Sequence, residues 1–154
     1  EVRALLWPPN SDVIIAGAAD GSVRLYSARD SKLLHCYKQH AAAVTALSLL
    51  DPAGCAYLQQ GSFFCSCGAD RSVVIATYEP ADSSGYRLLT ALQGHSADVA
   101  RLTWAPRHGH LYVTCTDGAI HVWQLQLHEP SQLVRVVPPG AAHLVLQALE
   151  RRGP

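Results

Sequence analysis

The chain has 154 residues, which bounds it at about one domain, and its 12 basic and 12 acidic side chains cancel at neutral pH. That balance excludes the surplus of Lys and Arg on which nucleic-acid binding and polybasic membrane attachment depend. Only 16% of residues are charged against 49% hydrophobic, where about a quarter charged is usual, so part of this surface is expected to be covered by neighbours.

No apolar run approaches the roughly 20 residues that span a bilayer, and Glu1-Val2-Arg3 is no signal peptide. With no Met anywhere, the chain reads as a piece of something longer. Cys36, Cys55, Cys65, Cys67 and Cys115 are odd in number and lack a framework spacing. They read as reduced thiols of an intracellular protein, cytoplasmic or nuclear.

Val2 to Trp7 is a short apolar strand stopped by Pro8-Pro9, since proline cannot donate to a ladder. Val13 to Ala18 is a continuous apolar run, as expected of a strand buried on both faces. Asp20-Gly21 is a hairpin signal because glycine tolerates positive φ. Ser22 to Tyr26 alternates with period two, and Lys32 to Tyr37 is a more polar fourth strand. The plan repeats from Gln39-His40: strand Ala43 to Leu49, turn Asp51 to Gly54, insertion Cys55 to Ser62, strand Phe63 to Cys67, turn Ala69-Asp70-Arg71, strand Ser72 to Tyr78, loop Glu79 to Gly85, strand Tyr86 to Leu92. It repeats again from Gly94-His95: strand Val99 to Trp104, turn Ala105-Pro106, strand Leu111 to Cys115, turn Thr116-Asp117-Gly118, strand Ala119 to Trp123, outer strand Leu133 to Val137. The tail after Pro138 has Leu144, Val145, Ala148 and Leu149 at helical spacing, and either a short helix or an extended tail accommodates it.

A Gly-His pair, three strands with an Asp turn before the third, and a closing Trp make a unit that resembles the WD-repeat β-propeller family. The turn aspartates Asp20, Asp70 and Asp117 recur slightly further apart than the 40–45 residues usual for such a repeat. The resemblance covers residues 1–137 and implies an all-β fold of twelve strands. These make three four-stranded antiparallel blades at about 1–38, 39–93 and 94–137, followed by the tail 138–154. Propellers typically have four to eight blades, so three imply the C-terminal part of a longer propeller, or an arc completed by a partner chain. The resemblance also implies a buried network in which the His bonds the turn Asp and, onward, a Ser or Thr and the Trp. Its members here are His40, Ser66 and Asp70 in the second unit, and His95, Asp117 and Trp123 in the third. Departures are plain: Val113 stands where a Ser is expected, Ala76 and Tyr26 stand where Trp is expected, and Trp-Asp never occurs.

Other constellations read as structural. His108, His110 and Cys115 lie on a turn and a strand end, and Cys65 and Cys67 share one strand face with no further ligands at zinc spacing. Ser66, His40 and Asp70 lack the Gly-x-Ser-x-Gly elbow of a hydrolase. No catalytic residue, cofactor or metal site is expected. The candidate partner-binding residues are Arg71, Ser96 and Asp98 on loops of one face, and Tyr57 and Leu58 in the insertion on the other. The expected function is a non-catalytic protein-interaction scaffold, a propeller piece within a larger intracellular complex. Its partners are other proteins or the remaining blades of the same parent, with no nucleic acid or membrane. The alternatives are a peptide- or substrate-recognition adaptor, which needs a full ring and central pocket, and an enzyme.

Overall fold

A computed structural model of the chain describes residues 1–9, 11–51, 62–78, 86–126 and 131–141. Twelve strands run in chain order through them: β1 (Val2–Leu6), β2 (Val13–Ala18), β3 (Ser22–Ser27), β4 (Leu33–Lys38), β5 (Val44–Leu50), β6 (Ser62–Gly68), β7 (Val73–Tyr78), β8 (Tyr86–Leu92), β9 (Val99–Ala105), β10 (His110–Cys115), β11 (Ile120–Gln124) and β12 (Gln132–Val137). They form three four-stranded antiparallel sheets, β1–β4, β5–β8 and β9–β12, each in sequence order. There is no α-helix among the described residues; Pro106–His108 makes one 3-10 turn closed by Gly109 at φ 62°. The tail helix and the insertion carrying Tyr57 and Leu58 lie outside the described residues.

The sheets stand side by side with their first strands innermost, β1 against β5 and β5 against β9, and they do not close into a barrel. Side chains alternate across a strand, so the middle sheet packs in two directions at once. Phe63, Cys65, Cys67, Val73 and Ile75 meet Leu102, Leu111, Val113 and Trp123 of the third sheet. Phe64, Ala76 and Tyr78, from the opposite face, meet Val13, Ile15, Val23 and Leu25 of the first. This is why β6 reads as an unbroken apolar run: both its faces are interior. Phe64 is fully buried, and a side chain of that size contributes about 1.5–3 kcal/mol of transfer free energy. Tyr37 and Tyr86 stack at 4.0 Å between the outer strands β4 and β8 and close the outer edge of that interface.

The turns need particular backbones. Gly21 sits at φ +81°, and a Cβ there would lie 2.2 Å from the His40 carbonyl oxygen, so no side chain fits. That close approach lets the Gly21 carbonyl accept from the backbone of both Gln39 and His40. The hairpin of the first sheet thereby anchors the connection that leads into the second.

Candidate functional site

The turns between second and third strands and the connections between sheets interlock at one end of the molecule. Ala69 N–H donates to the Ala43 carbonyl, and Thr116 N–H donates to the Asp98 carbonyl. Each turn aspartate first organises its own turn. The Oδ1 atoms of Asp20, Asp70 and Asp117 accept from the backbone N–H two residues on, at Ser22, Ser72 and Ala119. Ser22 and Ser72 add their hydroxyls at 2.6 and 2.7 Å.

In the second sheet this turn joins a buried chain of polar groups. His40 is fully buried; its Nδ1 lies 3.1 Å from Asp70 Oδ1 and its Nε2 lies 2.9 Å from Ser66 Oγ. Ser66 donates onward to Gln39 Oε1 at 3.0 Å, and Ala41 N–H donates to Asp70 Oδ2 at 2.8 Å. Burial pushes the Asp70 carboxyl up, but the Ser72 hydroxyl, Ala41 N–H and His40 together outweigh it and leave the pKa below the usual value. Gly68 makes room: a Cβ there would stand 2.7 Å from Asp70 Oδ1 and 2.9 Å from His40 Nδ1. Ala76, where a Trp is expected, packs instead in the interface with the first sheet.

The third sheet is wired differently. His95 accepts from Trp123 Nε1–H at 3.1 Å through Nε2, and its Nδ1–H donates to the Arg71 carbonyl at 2.8 Å. The histidine therefore ties Trp123 to the turn of the preceding sheet, and Asp117 of its own sheet, exposed, is not its hydrogen-bond partner. With both nitrogens used in the neutral form, burial holds the His95 pKa below the ordinary value, and His121 adds to the depression. His121 lies against His95 at 4.9 Å, edge to face, and neither of its ring nitrogens has a hydrogen-bond partner among the described residues. Burial depresses its pKa too.

The first sheet has no histidine opposite Asp20. Arg24, from β3 of the same sheet, takes that place with Nη2 at 2.8 Å from Asp20 Oδ2 and Nε at 3.1 Å from Ser22 Oγ. The Ser22 hydroxyl and N–H, with Arg24, pull Asp20 down to about 2. Neither Arg24 nor His121 is marked by a sequence motif. Both occupy the position four residues after the turn aspartate, where the second sheet has Val74.

Arg71 takes the place of Gly21 and Gly118 in the equivalent turns and holds φ at 62°, a conformation L-residues seldom adopt. Its side chain is exposed and makes no ion pair among the described residues, while its carbonyl is held by His95. Ser96 is exposed beside it in the connection, and Asp98 is half-buried. The free thiols among the described residues are Cys36, exposed, and Cys65, Cys67 and Cys115, buried. Burial pushes Cys65 strongly upward and Cys67 to about 11. Among the described residues no three His, Cys, Asp or Glu side chains converge as metal ligands, and no helix is long and apolar enough to cross a membrane.

Comparison with known proteins bears directly on this architecture. The family described as "WD domain, G-beta repeat" matches residues 31–75 and 86–124, more than half of the chain. The "Anaphase-promoting complex subunit 4 WD40 domain" family matches residues 1–51. WD repeat-containing protein 1 of Rattus norvegicus is 29% identical over 137 residues, covering 89% of this chain and 21% of that protein. Gem-associated protein 5 of Mus musculus is 27% identical over 133 residues, covering 80% of this chain and 9% of that protein. The chain thus spans about a fifth or less of the length of these relatives. Among solved structures, the computationally designed Ika8 and Ika4 proteins superpose with a TM-score of 0.67 at 22% identity. They cover 91% and 92% of this chain, and 37% and 74% of their own. Three side-by-side four-stranded sheets, a His–Asp–Ser chain behind one turn and a matching family over both later repeats lead to one conclusion: this chain belongs to the WD-repeat family of β-propeller proteins.

Proposed function

We propose that the chain is a non-catalytic protein-interaction scaffold, a piece of a WD-repeat propeller that works within a larger intracellular complex. The blades run at about 1–38, 39–93 and 94–137, and the rest of the parent propeller flanks them. The observation that carries this reading is the turn at Arg71. A left-handed arginine costs about 1–3 kcal/mol relative to an unstrained residue, yet its backbone is clamped by His95 while its guanidinium stands free toward solvent. Backbone rigidity around it, from the His40–Asp70 chain below and the His95 bond beside it, lets the turn bind with little loss of conformational entropy. Arg71 would meet a partner carboxylate, with Ser96 and Asp98 supplying flanking polar contacts. WD-repeat proteins are generally binding platforms rather than enzymes, which supports the same reading. A reducing compartment, cytoplasm or nucleus, is part of the proposal; the free thiols, Cys65 and Cys67 among them, support it.

The test is site-directed photocrosslinking in the parent protein. A photoreactive residue at Ser96 is expected to capture a defined protein, and Arg71→Glu is expected to abolish that capture. The comparison site is Arg29, exposed in the loop after β3. Equal labelling from positions 29 and 96, or capture indifferent to Arg71→Glu, overturns the assignment.

A further inference from the structure

The outer strands of the three sheets share one register. Leu33 stands opposite Tyr26, Leu88 opposite Ala76 and Leu133 opposite Trp123, and in each strand the next residue, Leu34, Leu89 or Val134, is the extra residue of a bulge. The three leucines are 52%, 55% and 44% exposed. For the second and third sheets this exposure does not come from where the chain begins or ends. Ala76 packs against the first sheet and Trp123 against the second, so Leu88 and Leu133 lie on faces whose neighbouring sheet is present. They stand outside that interface, at the rim, and a further sheet stacked on either end of the arc leaves them uncovered.

The rim cleft between the second and third sheets carries the fullest set. Val136, opposite His121, shares the face of Leu133 and is 46% exposed, and Val134 at the bulge is exposed as well. Arg87 looks into the same cleft from β8. Its partner Thr77 lies between Ala76 and Tyr78, which face the first sheet, so Thr77 and Arg87 face the third. Arg87 is exposed and forms no ion pair among the described residues, and neither β8 nor β12 contains an Asp or Glu. Apolar side chains exposed side by side with a free arginine beside them mark a contact surface, and the unmatched charge calls for a carboxylate. The bulges exclude one mode of contact. An added strand needs an even row of backbone N–H and C=O groups, and the extra residue breaks that row in β8 and β12 alike. A bilayer is a poor match too. With the first strands innermost the rim is convex, and β8 and β12 carry one basic residue each, against the cluster of about four to eight that draws a protein to an anionic leaflet.

We propose that the rim cleft between the second and third sheets docks an acidic amphipathic segment of another protein, its apolar side chains lying on Leu133, Val134 and Val136 and a carboxylate meeting Arg87. This surface is built on β8 and β12, does not include the turn at Arg71 and stands whether or not that turn binds a partner.

The test is fluorescence anisotropy with the full-length protein and a fluorescein-labelled peptide of glutamates with leucine at every third or fourth position. Saturable binding is expected, weakening as ionic strength rises, and the same peptide with glutamine in place of glutamate is expected to bind at least about tenfold more weakly. Leu133→Ser with Val136→Ser, and separately Arg87→Glu, are each expected to weaken binding by about tenfold or more. Arg29→Glu, at an exposed arginine in the loop after β3, is expected to change it by no more than about twofold. Circular dichroism melts check that the variants fold, and Leu133→Ala with Val136→Ala and Arg87→Gln give the same ordering should the stronger changes fail to fold. Absence of saturable binding, equal binding of the glutamine peptide, or equal effects of the Arg29 and Arg87 variants overturns the proposal. So does co-sedimentation with phosphatidylserine vesicles that the same variants abolish, which would assign the rim to a membrane. A concentration-dependent dimer that they abolish would assign it to a second copy and overturns the proposal equally.

Discussion

Replacing Asp70 by alanine removes one acceptor from four donors, and the structure says which of them matters. Ala41 is exposed, so its N–H recovers water, and Ser72 sits at a half-exposed turn. His40 is fully shielded, so its Nδ1 cannot recover water and exchanges a charged acceptor for the neutral Ser72 hydroxyl, 3.0 Å away. A hydrogen bond to a charged group contributes about 1.5–3 kcal/mol, and that is what the buried ring loses. For a chain of this size each kcal/mol moves the thermal midpoint by about 2–4 °C, so Asp70→Ala is expected to melt about 5–10 °C lower by calorimetry. Asp117→Ala is the comparison. Asp117 is exposed and bonds the Ala119 backbone within its own turn, so its loss is expected to shift the midpoint far less. The Asp70 pKa is lowered on folding, so its contribution is present above the unfolded carboxyl value and lost as pH falls through the folded one. The gap between wild type and Asp70→Ala should therefore narrow in strong acid. Equal drops for Asp70→Ala and Asp117→Ala, or none for Asp70→Ala, would refute the reasoning that burial of the histidine, not the turn, sets the cost.

Acid is expected to loosen the third sheet through His95 and His121. Both pKa values lie below the ordinary 6.5, so the unfolded chain binds more protons, and stability is intact above about that pH and declines below it. His121→Phe removes two buried nitrogens that have no partner among the described residues and is expected to stabilise by about 1 kcal/mol while flattening the acid limb of a urea-midpoint profile; an unchanged limb would contradict it. Arg71→Gly is expected to raise stability by about 1 kcal/mol by relieving a left-handed side-chain-bearing residue, while losing the crosslink from Ser96. A lower midpoint would mean the arginine side chain holds the turn. In the folded chain Cys36 is expected to react promptly with Ellman's reagent, whereas Cys65, Cys67 and Cys115 react only on unfolding; prompt labelling of Cys67 would contradict its burial.

The buried chain of the second sheet was legible in the sequence because its members carry their identities in side chains. His40, Ser66 and Asp70 stand at spacings that a repeat makes recognisable, and the structure brings them within 3.1 Å of one another along the chain of contacts. His95 shows the limit. One of its partners is a main-chain carbonyl, at Arg71, and any residue type offers a carbonyl, so no pattern announces it. Arg24 and His121 were hidden for a related reason. They fill the same position of different sheets with different chemistry, and a motif search built on histidine and aspartate passes over both.

Local sequence determined the elements themselves. Period-two alternation, unbroken apolar runs and aspartate-led turns dictate twelve strands, because each feature acts within a few residues through backbone sterics and side-chain direction. What only the assembled structure decided is which face of each strand meets which sheet. Phe63 and Phe64 are neighbours of identical chemistry, yet one packs toward the third sheet and the other toward the first. The same geometry separates the apolar residues buried between the sheets from those left exposed along the outer strands, since facing is a property of stacked sheets and belongs to no single strand.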